Sequence, residues 1–398
     1  MADYLYDAAR RLIALDTVSA NSNLEAAQFL ADRLESAGFH VAFHKIVVAK
    51  VEHTNLLAWA GPPVPDGLMI SGHIDTVPFN GQPGWTREPL KADLEGDRLY
   101  GRGASDMKGF LAQCVDAATR LDRRALKRPV VFLLTADEEV GGRGAEAIGP
   151  ELAGLLGELP MPRLCWIGEP TSYGICHTHK SIGSFEIKVN GRGGHSGAPA
   201  EGVNAIAVMG KVMDVIGRLQ QERASAPKAT FAEAFPESPY DVLNLGTING
   251  GIALNMIAEE CRLRLSYRSL PDADPMELHR EIERRIHEID TRDFAGGSHR
   301  ASVRVGLPQI MPPLLSPRGT LLERALMDAT GAKTSRGALY GTDGGHLERA
   351  GITSLICGPG DLEQAHQPNE SIRREPFERG TDIMLRVIDQ MCGSGAAA

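Results

Sequence analysis

The chain has 398 residues, 42% of them hydrophobic and 23% charged, with a formal net charge of −9. That length exceeds one ordinary core and calls for two domains or more of a globular protein. The acidic balance argues against nucleic acid or an anionic membrane surface as the main partner.

The N-terminal segment MADYLYDAARRLIALDTVS breaks its apolar residues with acids and arginines, which a signal peptide does not do. No apolar run approaches the ~20 residues of a membrane span. Six cysteines without a CxxC pair fit buried free thiols in a reducing compartment. A cytoplasmic protein with no membrane partner is expected.

In chain order, SNLE at 22–25 has the form of a capping box, with Ser22 as cap and Glu25 three residues on. It opens a helix in which Leu24, Ala27, Ala31 and Leu34 keep helical spacing and Gly38 supplies the stop. Short apolar runs at 55–60, 67–72, 130–136 and 164–167 predict strands buried on both faces, with MKGFLAQCVDAATRL (107–121) as one covering helix. The basic cluster RLDRRALKR (120–128) reads as a solvated helix end and loop.

From about residue 183 the pattern changes. FEIKVNG alternates, with Phe185, Ile187 and Val189 on one face and Glu186 and Lys188 on the other. A helix at 202–220 carries Ile206, Met209, Met213 and Ile216 on one stripe. Strands follow at 242–248 and 261–268, the second with Leu263, Leu265 and Tyr267 opposite Arg262, Arg264 and Arg268. A helix at 274–290 and a strand at 301–307 complete a β-α-β-β-α-β series, the ferredoxin-like motif. Beyond 310 the first style returns. The predicted fold is α/β: a doubly wound mixed sheet (1–182 and 309–392) with an inserted α+β ferredoxin-like domain (183–308), and a disordered tail at 393–398.

Acids and histidines cluster where the apolar runs end. SGHIDTVP (71–78) places His73 and Asp75 two residues apart, on one face of an extended chain. A histidine beside a carboxylate suits a metal ligand and the group that orients it. GRGASDMKGF (101–110) offers Asp106, TADEEVGG (135–142) offers Glu138 and Glu139, IGEPT offers Glu169 and EQAHQPNE offers His366. Adjacent Glu138 and Glu139 cannot easily do the same job. One could bind metal while the other stays free as a base. Two histidines with several carboxylates and no thiolate suit Zn²⁺, Mn²⁺ or Co²⁺. A shared Asp, with one His and one Glu per ion, would build a two-metal centre. Alone, Asp106 would be a helix cap, and the DEE turn and His366 surface groups; their common position at strand ends is what points to a site.

These motifs, with GRGGHSGAP (191–199), resemble in order and spacing those of the M20 family of dinuclear-metal amidohydrolases and peptidases, over nearly the whole chain. YGTDGGHL and ICGPGDLEQAHQPNESI are most similar to the acetylornithine deacetylases of that family. The resemblance implies two divalent metal ions, Zn²⁺ first and Co²⁺ or Mn²⁺ in its place, held by His73, Glu169, Asp106, Glu139 and His366. Asp106 would bridge; His73 and Glu169 would complete one site, Glu139 and His366 the other. It implies Glu138 as catalytic base, Asp75 as the carboxylate behind His73, and a lid domain that pairs two subunits and delivers His195 to the partner's reaction. Arg268 and Asn255 would bind a small N-acyl amino acid, foremost N²-acetyl-L-ornithine; a succinyl-diaminopimelate desuccinylase, an aminoacylase or an exopeptidase are the alternatives. CHTHK (176–180) reads as packing rather than a metal pair, and Asp343 and His346 of YGTDGGHL could reach a substrate pocket.

Overall fold

In the computed structural model, which describes residues 2–292 and 298–393, the apolar runs of the first half lie side by side in one sheet. Seven of its nine strands among the described residues are, in chain order, β1 (His40–Val48), β2 (Val51–Ala60), β3 (Leu68–His73), β4 (Val130–Thr135), β5 (Leu164–Ile167), β6 (Ile175–His179) and β7 (Thr353–Ile356). In space they run β1-β2-β4-β3-β5-β7-β6. The β4–β3, β3–β5 and β5–β7 pairs are parallel; β1–β2, β2–β4 and β7–β6 are antiparallel. The sheet is therefore mixed.

Both faces are covered. Leu56, Ala58, Phe132, Leu134 and Ile70 join the core shared with helices Ala2–Ala14, Leu24–Ser36, Lys108–Arg120, Leu321–Thr330 and Arg374–Cys392. Leu57, Met69, Val131 and Leu133, of the opposite parity, are equally inaccessible. That explains why these runs do not alternate in sequence. Each such side chain contributes about 1.5–3 kcal/mol of burial.

The chain divides into two units, one built from residues up to 178, 316–336 and 342 onward, the other from 179–315 and 337–341. The second unit has the expected β-α-β-β-α-β order. Its sheet runs Val242–Gly250, Glu260–Arg268, Ile182–Asn190, Ser302–Val305, all antiparallel. Helices Ala205–Ala224 and Pro275–His287 pack on the face that carries Phe185, Ile187, Val189, Leu263 and Leu265. The other face carries ion pairs, Lys188–Glu260 at 2.6 Å and Arg262–Glu186 at 3.3 Å. Gln309–Met311 pairs with Ile182–Ser184, so this unit continues past the boundary at 309 that the sequence placed. Of the expected tail, only Gly393 is described; 394–398 lie outside the described residues.

Two local expectations are corrected. Ser22 is not the cap: Asn23 holds that position, and its side chain makes two hydrogen bonds to the Thr54 backbone (2.8 and 2.9 Å) rather than capping. Bracing a buried strand satisfies more otherwise unpaired groups than capping an exposed turn. Ile206 is 45% exposed, because the buried stripe of its helix is Ala205, Val208, Met209, Val212, Ile216 and Leu219.

Candidate metal centre

The strand ends of the first unit bring the acidic turns together. β3 ends at His73, and Ile74 donates its N–H to the Thr135 carbonyl at the end of β4. This pins the 73–75 turn beside the Glu138–Glu139 turn. The Asp106 turn needs glycine at 103: its φ is +82°, and a Cβ there would lie 2.8 Å from Lys108 and 2.9 Å from Thr76. Glu169 leaves β5 through Gly168, whose N–H donates to the Ser71 carbonyl of β3.

Asp106 sits between the two histidines. Its Oδ1 is 3.0 Å from His73 Nε2 and its Oδ2 is 3.3 Å from His366 Nε2. His366 Nε2 is also 3.0 Å from Glu139, and His73 Nε2 is 3.8 Å from Glu169. One carboxylate thus faces two imidazoles with separate oxygens, each imidazole having a glutamate of its own.

Ligand atoms of His73, Asp106 and Glu139, and likewise of His73, Glu138 and Glu169, lie within 4.8 Å of one another. Glu139 Oε1 is buried without a hydrogen-bond partner among the described residues. An orphaned carboxylate oxygen facing nitrogen and oxygen donors fits a divalent cation. The residues therefore suit the two ions expected, although the geometry alone does not set Glu138 apart from the ligands.

Charge is crowded here. Burial, then the charge of Glu169, pushes the Glu138 carboxyl well above its ordinary range. Burial and the Asp106 charge push Glu139 up to about 7. Burial also raises Glu169. Burial would lower His73, but the hydrogen bond to Asp106 and the charge of Glu169 outweigh it and raise its pKa. Hydrogen bonds to Asp106 and Glu139 raise His366 to about 10. Asp106 moves the other way: burial opposes its ionisation, but the two imidazoles hold it below the usual carboxylate range.

The model of peptidase family M20/M25/M40 matches residues 69–390. The chain belongs to the M20 family. Solved structures with the same fold include a tripeptidase from Staphylococcus aureus (20% identity, TM-score 0.74, 98% of each chain covered). An M20 family metallo-carboxypeptidase from Sulfolobus solfataricus matches at 18% identity and TM-score 0.76, over 98% of this chain and 99% of that one. A Bacillus subtilis protein described as a dinuclear metal binding peptidase of the M20 family matches at 17% and 0.65, over 96% of each. These three structures share the fold of this chain.

Asp75 lies behind His73 and has further partners. His73 Nδ1 lies 3.0 Å from the backbone carbonyl of Asp75 and 3.7 Å from its carboxylate. That carboxylate also accepts the N–H groups of Glu138 (3.1 Å) and Glu139 (3.3 Å) and the Ser19 hydroxyl (2.7 Å). It clamps the glutamate turn. On the second unit, His195 and Asn255 come together: Gly194–His195 pairs with Met256–Ile257, and Ser196 N–H donates to the Asn255 carbonyl (3.1 Å). Arg268 Nη1 is buried with no hydrogen-bond partner among the described residues.

Asp343 is buried, accepts the Thr135 hydroxyl at 2.6 Å, and its Oδ1 has no hydrogen-bond partner among the described residues. Burial pushes it up to about 6. His346 Nε2 sits 3.4 Å from the Gly141 carbonyl. His177 meets the Ser335 hydroxyl at 3.0 Å and joins no metal-competent group among the described residues. The residues that sequence reasoning missed are Ser19, Thr135, Arg102 and Glu370. The last stands four positions after His366, at the end of EQAHQPNE.

Proposed function

We propose that this chain hydrolyses the amide bond of an N-acyl amino acid at a two-metal centre formed by His73, Asp106, Glu139, Glu169 and His366. Asp106, divided between two histidines that each have their own glutamate, is the observation that carries the reading. Two divalent ions held there, zinc first among them, would polarise the scissile carbonyl and acidify a water.

The chain's own residues do the rest. Glu138 is buried, with its backbone N–H fixed by Asp75, so its carboxylate is held still while it takes the proton of the attacking water. The same carboxyl returns that proton to the departing nitrogen. Arg268 offers a guanidinium whose buried Nη1 lacks a partner, matching the α-carboxylate of such a substrate. Asn255 and His195, on one ribbon, are its companions for substrate binding and for the developing oxyanion.

N²-acetyl-L-ornithine is the substrate favoured by the YGTDGGHL and ICGPGDLEQAHQPNESI motifs. Turnover of acetylornithine, succinyl-diaminopimelate, acetylmethionine and simple dipeptides, measured side by side on zinc-loaded enzyme, tests it. Acetylornithine should be fastest. Faster cleavage of dipeptides would make the chain a peptidase, and no cleavage of any of them would remove the amidase reading.

The second unit supports pairing of two copies. Val242–Gly250 lies at its sheet edge and is mostly exposed; its Leu245 and Ile248, and Ile252, Leu254 and Met256 just after it, are all over 40% accessible. Such an apolar edge aggregates unless another strand covers it. A second copy can do so by antiparallel pairing. If His195 then serves the partner's centre, mixing inactive His195→Ala and Glu138→Gln subunits restores activity in the heterodimer. Subunit exchange without rescue would confine each centre to one chain. Among the described residues no helix is long and apolar enough to cross a membrane.

A further inference from the structure

A chain of hydrogen bonds links the Asp106 turn to the backbone of His366. Glu370 and Arg102 are both about 1% accessible at their side chains and pair at 2.8 Å. Glu370 also accepts three backbone N–H groups of the Asp106 turn. Its Oε2 takes Gly103 (3.0 Å), and its Oε1 takes Ser105 (2.9 Å) and Asp106 itself (3.0 Å). Its own carbonyl accepts the Gly101 N–H at 2.9 Å.

From Arg102 the chain of bonds continues outward. Nη2 donates to Gln82 Oε1 at 2.6 Å, and Gln82 Nε2 donates to the backbone carbonyl of His366 at 2.7 Å. The Arg102 guanidinium lies over the Trp85 ring, 5.0 Å from its centroid. The path therefore runs from the Asp106 amide through Glu370, Arg102 and Gln82 to His366. His366 has φ +60°, a conformation that a non-glycine residue holds only when its surroundings impose it.

A buried carboxylate with four donors is costly to assemble unless each donor must be where it is. Here the donors are the turn that presents one ligand, and the far end of the chain of bonds is the backbone of another. From this geometry we infer that Glu370 is a positioning residue: through Arg102 and Gln82 it fixes the spacing of Asp106 and His366, and so sets the affinity of the ion site that these two share with Glu139. The inference rests on the two-metal reading. It also explains why the second ion can be bound partly by a histidine on an exposed loop, since the brace supplies the order that burial supplies to His73.

Two variants separate this role from mere packing. In Glu370→Gln the amide keeps the size of the side chain but offers one acceptor oxygen. Either way it turns, its NH₂ confronts two donors: Arg102 with Gly103, or Ser105 with Asp106. In Gln82→Met the Glu370–Arg102 pair stays, while the hydrogen bonds that Gln82 makes with Arg102, Trp85 and the His366 carbonyl are lost.

Co²⁺ binding to the metal-free full-length chain, measured by equilibrium dialysis, should show two ions on the wild type. Gln82→Met should weaken one of them by ~10–100-fold and leave the other nearly unchanged, and Glu370→Gln, which loosens the shared Asp106 turn, should weaken that same site the more strongly of the two. Excess Co²⁺ should then restore the turnover of Gln82→Met. Two sites of unchanged affinity in Gln82→Met, or equal weakening of both sites, would overturn the positioning role while leaving the metal reading intact. A wild type that binds no ion would overturn the metal reading instead. If Glu370→Gln does not fold, the Gln82→Met result decides alone.

Discussion

Replacing Glu138 by Gln asks whether that side chain moves protons or holds metal. It is 8% accessible, and its N–H is fixed by Asp75, so an amide of the same size leaves the turn in place. Losing a general base costs ~10²–10⁴-fold in turnover, about 2.7–5.5 kcal/mol of barrier. Metal content should stay at two ions per chain, because His73, Asp106 and Glu169 still surround the first site. The metal-free variant should also be more stable than the metal-free wild type. Burial and Glu169 raise the Glu138 pKa above its unfolded value, so its contribution is most favourable at low pH and declines as pH rises. The melting-temperature advantage of the variant should therefore widen as the pH rises above the ordinary glutamate range. The assays are steady-state turnover on zinc-loaded protein, equilibrium dialysis, and thermal melts in chelator. Because Glu138 shares a 4.8 Å cluster with His73 and Glu169, the rival outcome is definite. Loss of one bound ion would make it a ligand, and near-wild-type turnover would remove it from the chemistry altogether.

Metal loading should expel protons. His366 is raised to about 10, His73 is raised, and Glu139 lies at about 7, so near neutrality the metal-free chain carries protons where an ion must bind. Calorimetry in buffers of different ionisation heat should find about two protons released per chain, and affinity tightening as pH rises; a pH-independent affinity would contradict this. Gly168→Ala should lower the urea midpoint by about 1–3 kcal/mol of stability, since the new Cβ would fall 2.2 Å from the Phe110 ring, itself packed edge-on against Trp166. An unchanged midpoint would mean that Phe110 can move aside.

The fold was legible where each residue's neighbours are close in sequence or repeat with a period. Strand runs, the alternation of 185–189 and the order of the inserted unit needed nothing more. Local signals misled where distant groups competed for the same atoms. Asn23 turned to Thr54 instead of capping, and the Asp75 carboxylate, 3.7 Å from His73, accepts hydrogen bonds from the glutamate turn. Glu370 was unreadable for a related reason. Nothing in PNES distinguishes a solvated acid from one buried on a turn some 265 residues earlier, for that depends on how the 101–106 turn and the C-terminal loop fold against each other. Substrate choice was less legible still, because Arg268 and Asn255 are defined by the partners they lack or gain, not by a pattern of spacing.

The charge of the centre explains why its ligands stood out at all. Asp75, Asp106, Glu138, Glu139, Glu169 and Asp343 are six carboxyls largely removed from water, with His73 and His366 as their nearest bases. Fully ionised, such a group repels itself strongly in a low dielectric, and the raised pKa values of Glu138, Glu139, Glu169 and Asp343 express that repulsion. The metal-free chain offsets it by keeping protons on carboxyls and imidazoles. Two divalent cations would offset it without them, cancelling four of six negative charges and leaving the histidines neutral. A sheet has no structural use for so many acids at its strand ends, since one cap per helix would serve. Their accumulation is thus a cost to folding that only a bound positive charge reverses. That is why five short turns, each ordinary alone, could be read together as one site.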